Sequence, residues 1–214
     1  MIILGLTGSI GMGKTTAAQN FRRLGIRVHD ADAAVHRVMA KGGAAVAAVA
    51  EAFPITLEAG AIDRRRLGAM VFDNDLELKR LEKILHPLVA ASRDAFLGAA
   101  ARAQQSVVVL DVPLLFETGG EARCDAVCVV SAPAFIQRRR VLMRPGMTEE
   151  KLDAILARQM PDTEKCRRAD FVIPTGLGRV ENFRTVATIL ETVRHWQGRH
   201  WPPFPRRPRT RGKH

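Results

Sequence analysis

Cysteine, long apolar runs and an N-terminal targeting segment are scarce or missing in this chain, and each absence excludes a class of protein. The three cysteines among the 214 residues form neither a paired framework nor the spacing of a zinc site. The longest apolar runs are far shorter than the ~20 residues that a membrane span needs. No basic segment with a cleavage site precedes the first apolar run, so we expect no secretion signal. We therefore expect a cytoplasmic protein without a membrane partner.

Aromatic residues are also few, and at 5% of the chain they disfavour a protein that stacks nucleic-acid bases. The net charge of +11 would by itself suggest a nucleic-acid partner. Six of the basic residues lie beyond residue 198, among four prolines and no acidic residue, and without them the net charge is +5. Residues 199–214 are therefore predicted to form a disordered basic tail. The remaining positive charge suits an enzyme with polyanionic substrates.

The most specific pattern in the chain is Gly8–Thr15, a glycine followed by four residues and then Gly-Lys-Thr, as in phosphate-binding loops. An apolar run of strand length, Ile2–Thr7, precedes this loop, and a helix is predicted over Thr15–Leu24. The glycines let backbone N–H groups surround a phosphate, and the helix adds its positive end. Lys14 is expected to reach the β- and γ-phosphates, and the hydroxyl of Thr15 is expected to bind Mg²⁺.

Further apolar segments indicate an α/β fold with a parallel five-stranded sheet flanked by helices. They are rich in valine and isoleucine, as expected of strands that are covered on both faces. Helix-like segments between them imply right-handed crossovers. The four further strands are predicted at Ile26–His29, Val107–Val112, Asp125–Val130 and Phe171–Ile173.

The long gap between the second and third strands predicts a helical insertion, residues 33–105, at the sheet edge where ligands bind in such folds. We find helical periodicity in it but no convincing strand, and we expect the last of its helices to break near Pro87. Its helices are predicted over Ala33–Met39, Ala44–Phe53, Arg65–Phe72 and Asp75–Ala101.

A second insertion, residues 135–165, is predicted to be a helical lid. Its two helices, Ala134–Met143 and Thr148–Met160, are joined by a turn with a proline and a glycine. A last helix is predicted over Gly178–Gln197. The nucleotide-binding core is then formed by residues 1–32, 106–134 and 166–198.

Carboxylates follow two of the predicted strands, at the edge of the sheet where the phosphate loop lies. Of Asp30 and Asp32 we favour Asp32, because Asp30 directly follows the strand and its backbone can still take part in the strand's pairing. Such a carboxylate is suited to accept the proton of an attacking hydroxyl or to help hold Mg²⁺. The alternative is that both are solvated turn residues that cap the next helix. Asp111 ends the apolar run Val107–Leu110, a Walker-B-like pattern that places a carboxylate near Mg²⁺.

Basic residues in both insertions are candidates for anion binding. Arg140 and Arg144 lie four residues apart on one face of the predicted lid helix, and forked guanidinium groups suit triphosphate oxygens. The alternative is a solvated basic face. Arg64–Arg66 begin a helix against its macrodipole, which suggests an anionic partner. His86, before Pro87, is either a ligand contact or a packed or capping residue.

Taken in this order, the patterns resemble the dephospho-CoA kinase family over roughly residues 1–195. The phosphate loop is common to many families, but the Asp-Ala-Asp, His-Pro and Pro-Leu-Leu-Phe-Glu elements together are much more specific. The matching segments are Leu6–Thr16, Asp30–Asp32 with His36, Arg64–Leu67 with Val71 and Phe72, His86–Pro87, Asp111–Glu117, Gln137 with Arg140 and Arg144, Gln159, and Ala169–Ile173.

The resemblance implies a P-loop kinase with a helical CoA-binding insertion and a lid, which transfers the γ-phosphoryl group of ATP to the ribose 3′-hydroxyl of dephospho-CoA. It implies that Asp32 is the catalytic aspartate and Arg140 the lid arginine, with Lys14 completing the catalytic set. The expected contacts with ATP are Gly8, Gly11, Met12, Gly13, Lys14, Thr15, Thr16 and Arg144. The expected contacts with the acceptor are Asp32, Arg64, Arg65, His86, Pro113 and Leu114. The expected oxygen ligands of Mg²⁺ are Thr15 and Asp111.

One departure from the family concerns the adenine. Members of the family often carry an asparagine after the last strand, near the adenine, where this chain has Pro174–Gly176, Pro-Thr-Gly. We therefore expect the adenine contacts to differ here and to involve backbone groups.

Other classes of protein share parts of these patterns. Another P-loop small-molecule kinase, for a nucleoside monophosphate or a sugar, would have the same core and lid, although the long first insertion favours a long acceptor. A GTPase is disfavoured because the chain has no Asn-Lys-x-Asp segment and Asp111 is not followed by x-x-Gly. A nucleic-acid-dependent NTPase would use the positive charge, but most of that charge lies in the tail. We expect no specific nucleic-acid partner, and a monomer or a weak homo-oligomer.

Overall fold

The computed structural model describes residues 1–71 and 74–201. The chain forms two compact units: Met1–Val28 with the described residues from Gln104 onward, and His29–Ala103. The bounds of the second unit differ by a few residues from those of the predicted insertion, residues 33–105. The predicted lid is part of the first unit. Phe72 and all of the predicted tail beyond residue 201 lie outside the described residues. Within the described part of the chain, no helix is long and apolar enough to cross a membrane.

A five-stranded sheet is the main β-structure, with the strand order β2-β5-β1-β6-β7. The pairings of β1 with β5 and β6, and of β6 with β7, are parallel, which confirms the predicted sheet. Every residue of β1 and β5 is buried, because strands covered on both faces need continuous apolar runs. The strands are β1 (Ile2–Thr7), β2 (Arg27–Asp30), β3 (Leu57–Glu58), β4 (Ala61–Ile62), β5 (Val107–Asp111), β6 (Ala126–Ser131) and β7 (Phe171–Pro174).

Helices α1 and α9 pack against each other and share an apolar core with β1. Phe21 of α1 and Ile189 of α9 lie in this core, together with Leu4 and Leu6 of the strand. The helices are α1 (Lys14–Arg23), α2 (Ala31–Met39), α3 (Val46–Ala52), α4 (Arg64–Val71), α5 (Asp75–Arg102), α6 (Ala134–Leu142), α7 (Glu149–Ala157), α8 (Asp162–Arg168) and α9 (Arg179–Val193). Short 3₁₀ turns are formed by Pro54–Thr56 and Gly120–Arg123.

Helix α5 is continuous over 28 residues, so the predicted break near Pro87 is wrong. A proline removes one hydrogen bond from a helix interior and does not by itself end the helix when packing holds both sides. Leu81 and Leu85 are buried before the proline and Leu97 is buried after it. The side chain of Asn74 caps the start of the helix by accepting two backbone N–H groups.

Two elements were not predicted. Strands β3 and β4 form an antiparallel pair in the second unit, so the prediction of no strand between residues 33 and 105 is wrong. Two-residue strands are too short to show alternation, and the signal was the turn between them, Ala59–Gly60, where both residues have positive φ. The second lid helix ends at Ala157, earlier than predicted, and a further helix, α8, follows Pro161.

Phe21 provides a test of the core in the first unit, because its side chain is fully buried there. Phe21→Ala is expected to lower the free energy of unfolding by about 3–5 kcal/mol, since the core cannot refill the volume of the lost ring. Phe135→Ala is the control, because Phe135 is 72% exposed and the change there is expected to stay within about 0.5 kcal/mol. Denaturant unfolding measures both, and equal losses would contradict the placement of Phe21 in the core.

Candidate functional site

The phosphate loop lies between β1 and α1, as predicted, and its backbone requires glycine. Gly11 and Gly13 have φ of 77° and 88°, in the left-handed region that side chains rarely adopt. A Cβ atom on Gly11 would also overlap the side chain of Val141 in α6, and one on Gly8 would overlap Val130 in β6. The loop is therefore packed closely against its surroundings.

Lys14, the first residue of α1, forms an ion pair with Asp111 at the end of β5. The two strands are neighbours in the sheet, with Leu6 of β1 opposite Asp111. The carboxylate of Asp111 is almost fully buried, which favours keeping a cation beside it. The structure thus brings together two side chains that the sequence predicts at one site.

The oxygen atoms of Asp111 and Thr15 fit the donor set that Mg²⁺ prefers. Thr15 is exposed on the first turn of α1, one residue after the lysine that contacts Asp111. In the described residues, no group of three or more His, Cys, Asp or Glu side chains could hold a metal ion. Mg²⁺ that is bound mainly by substrate phosphates needs only one or two protein oxygens.

Arg140 lies beside the phosphate loop. Its guanidinium donates to the carbonyl of Gly11 at 3.4 Å, to Oγ1 of Thr175 at 3.0 Å and to the carbonyl of Thr175 at 2.7 Å. Oγ1 of Thr175 in turn donates to the carbonyl of Met12 at 2.6 Å. The alternative of a solvated basic face therefore does not hold for Arg140.

The neighbouring arginines have other environments. Arg138 pairs with Glu149 and with Asp153, at 3.0 Å from the latter, and so joins α6 to α7. Arg144 is exposed just after the end of α6. Of the predicted pair on one helix face, only Arg140 contacts the loop in this structure.

In the second unit, Asp30 and Asp32 have different positions. The carboxylate of Asp30 accepts the N–H of Ala33 at 2.9 Å and caps α2, which begins at Ala31. Asp32 is exposed on the first turn of this helix. Helix α2 therefore begins two residues earlier than predicted, and the capping alternative holds for Asp30.

Asp63 resolves the conflict between the arginines at 64–66 and the dipole of α4. Its Oδ1 accepts the N–H of Arg65 at 2.8 Å and that of Arg66 at 3.2 Å. The hydrogen bond from Arg66, more than that from Arg65, holds the pKa of Asp63 below its usual range. Arg66 also pairs with this carboxylate at 3.3 Å, whereas the guanidinium of Arg64 lies against His36. The start of the helix is therefore stabilised within the chain and does not itself require an anionic ligand.

Three further predicted acceptor contacts are partly or fully accessible. His86 is exposed on α5, and the side chain of Leu114 is 40% exposed. Pro113 is half-buried, and its carbonyl accepts the hydroxyl of Thr7 at 2.9 Å, which ties the segment after β5 to the end of β1.

An ion pair between Lys165 of α8 and Glu117 was not predicted. The ammonium of Lys165 is fully buried, 2.9 Å from Oε1 of Glu117, and the same oxygen accepts the N–H of Met160 at 2.9 Å. Burial raises the pKa of Glu117, but the ammonium of Lys165 and the hydrogen bond from Met160 together outweigh it, and the pKa lies below its usual value. The pair joins α8 and the turn before it to the segment after β5.

Comparisons with known proteins identify the family and agree with the fold. The family model described as dephospho-CoA kinase matches residues 2–177. A dephospho-CoA kinase of Paramagnetospirillum magneticum is 64% identical over 165 residues, 77% of this chain and 78% of that protein. One of Mesorhizobium japonicum is 55% identical over 198 residues, 92% of this chain and 100% of that protein. The solved structure of TT1252 from Thermus thermophilus is similar with a TM-score of 0.78 and 35% identity, covering 89% of this chain and 96% of that one.

A phosphate loop after the first strand of a parallel sheet, with its lysine paired to an aspartate at the end of the neighbouring strand β5, is the arrangement of P-loop proteins that bind nucleoside triphosphates. The family model and the two relatives identify one family within this class. The chain belongs to the dephospho-CoA kinase family. The predicted resemblance and enzyme class are thereby confirmed, and the predicted function, the last step of coenzyme A biosynthesis, is that of this family.

Loss of the buried cation tests the pair of Lys165 and Glu117. Lys165→Met is expected to lower the free energy of unfolding by about 3–5 kcal/mol, because it leaves a partly buried carboxylate without its partner. The control is Lys79→Met on α5, where the side chain is exposed and the change is expected to stay within about 0.5 kcal/mol. Denaturant unfolding of the two variants decides, and equal stabilities would refute the assignment.

The same pair predicts a dependence of stability on pH. The pKa of Glu117 is lower in the folded chain than its usual value of 4.5. Its contribution is therefore complete above that value and is lost as the pH falls through the folded pKa. Glu117→Gln should show a weaker loss of stability in this acid range, measured by unfolding at several pH values. An unchanged acid profile would show that Glu117 does not contribute.

Proposed function

We propose that this chain uses ATP to phosphorylate the ribose 3′-hydroxyl of dephospho-CoA, giving coenzyme A and ADP. The observation that carries the proposal is a phosphate loop with its lysine paired to Asp111, in a member of the dephospho-CoA kinase family. The cytoplasmic location and the monomeric or weakly oligomeric state stay predictions from the sequence.

The donor half of the site would bind the phosphates of ATP through the loop amides and Lys14. The ammonium of Lys14 already lies at the end of β5, so a phosphate there would give it a second anionic partner. When bound at Thr15 and Asp111, Mg²⁺ would neutralise negative charge on the β- and γ-phosphate oxygens. Further proposed contacts with ATP are Gly8, Gly11, Met12, Gly13, Thr16 and Arg144.

Charge that develops on the transferred group would be stabilised by Arg140. Its contact with the carbonyl of Gly11 supports this role, because the guanidinium is already held beside the loop that binds the donor. Thr175 accepts two of its N–H groups, at Oγ1 and at the backbone carbonyl, and so fixes the orientation of the guanidinium.

The acceptor half would depend on Asp32, which we propose accepts the proton of the 3′-hydroxyl as the new bond to phosphorus forms. Its exposed position and the absence of a capping role support this choice over Asp30. The remaining proposed contacts with dephospho-CoA are Arg64, Arg65, His86, Pro113 and Leu114.

A direct assay tests the proposed reaction. Incubation of the chain with ATP, Mg²⁺ and dephospho-CoA is expected to yield CoA and ADP in equal amounts, detected by chromatography. Failure to form CoA, with turnover on a nucleoside monophosphate or a sugar, would identify another small-molecule kinase. ATP hydrolysis that RNA stimulates would instead identify a nucleic-acid-dependent NTPase.

The two aspartates at the start of α2 allow a matched test of the base. Asp32→Asn is expected to lower kcat by ~10²–10⁴ with little change in ATP affinity, because the amide cannot accept the proton. Asp30→Asn is the control, since an asparagine still caps the helix, and kcat should stay near that of the wild type. Steady-state kinetics measure both, and an unaltered kcat for Asp32→Asn would remove Asp32 from the chemistry.

A further inference from the structure

Two glutamine side chains hold the backbone of Ile10, in the middle of the phosphate loop. Nε2 of Gln137 donates to the carbonyl of Ile10 at 2.8 Å, and the N–H of Ile10 donates to Oε1 of Gln159 at 3.1 Å. A carbonyl only accepts hydrogen bonds and an amide N–H only donates them, so the backbone fixes the orientation of both side-chain amides. One glutamine must act as a donor and the other as an acceptor.

Each glutamine is itself anchored in the first unit. Gln137 lies on the buried face of α6 and is 6% exposed. Gln159 lies between α7 and α8, and the N–H of the next residue, Met160, is held by Glu117, the partner of the buried Lys165. The α6–α8 segment therefore contacts Ile10 at two points, one on α6 and one between α7 and α8.

The two carbonyls that follow Ile10 are held in a similar way. The carbonyl of Gly11 accepts from Arg140, and that of Met12 accepts from Thr175. In a planar trans peptide the carbonyl of one residue and the N–H of the next point in opposite directions. Because the carbonyls of residues 10–12 face the side chains that hold the loop, the N–H groups of residues 11–13 point away from those side chains. The N–H of Met12 is used within the loop, by the carbonyl of Ser9. Those of Gly11 and Gly13 are left to face a ligand.

We propose that Gln137 and Gln159 are positioning residues that hold Ile10 in the conformation in which the loop amides bind phosphate. Through these two side chains the α6–α8 segment affects nucleotide affinity, although neither glutamine contacts the nucleotide itself. The inference rests on the proposed function only in that a nucleotide binds at this loop, and it is independent of the acceptor.

Because one glutamine donates and the other accepts, the same substitution should have opposite outcomes at the two positions. Gln137→Glu replaces the donor with a carboxylate that faces a carbonyl, whereas Gln159→Glu keeps an oxygen that accepts the N–H of Ile10. The two variants add equal charge near the same residue, so each controls for the electrostatic effect of the other. Methionine at either position removes both the donor and the acceptor at similar length.

Calorimetric titration with ADP measures how each substitution changes nucleotide affinity, independently of catalysis. Gln137→Glu, Gln137→Met and Gln159→Met are expected to raise Kd for ADP by about 10-fold, as for the loss of a buried hydrogen bond. Gln159→Glu should stay within about threefold of the wild type. In steady-state assays the first three should raise KM for ATP and leave KM for the acceptor unchanged. Thermal unfolding identifies any variant that does not fold, in which case the methionine variant at the same position replaces it.

Equal effects of the two glutamate substitutions would overturn the proposal, since charge alone would then explain them. Wild-type affinity in Gln159→Met would overturn it as well. The proposed reaction fails separately: a wild type that binds ADP but makes no CoA would refute the acceptor, while the difference between the two glutamate variants would still support the positioning role.

Discussion

Hydrogen bonds to the carbonyl groups of the phosphate loop are the interaction on which the arrangement around the loop depends. Three successive carbonyls, from Ile10 to Met12, accept side-chain hydrogen bonds from Gln137, Arg140 and Thr175. Two of these donors lie on α6 and the third follows β7. A loop that presents N–H groups to an anion must turn carbonyls the other way, so these elements complete the anion site from outside.

The sheet and the core of the site follow from local sequence patterns. The strands that flank the loop are buried on both faces, so their apolar runs predict β1 and β5 to within one residue at each end. The glycines of the loop are demanded by φ and by close packing, which makes the motif visible in the sequence. Lys14 and Asp111 then meet because parallel neighbouring strands end at one edge.

Other features could not be predicted because they arise from contacts between distant residues. Ile10 and Gln159 are 149 positions apart, and no local pattern marks a glutamine that holds a loop. The pair of Lys165 and Glu117 likewise looks like ordinary surface charge in the sequence. The prediction starts α2 two residues too late, because an aspartate at the end of a strand is compatible with the strand and with a helix cap. The hydrogen bond from the N–H of Ala33 to Asp30 shows that it is a cap, and this bond is not visible in the sequence.

Helix α5 has a mechanical consequence within the second unit. Its 28 residues form a rod of about 42 Å at the usual rise per residue. Pro87 has no N–H to donate to the carbonyl of Lys83, so the helix lacks one backbone hydrogen bond near its middle. Bending stiffness is therefore lowest at that turn, and a load applied to one end of the helix would flex it there before it strained the packed leucines on either side.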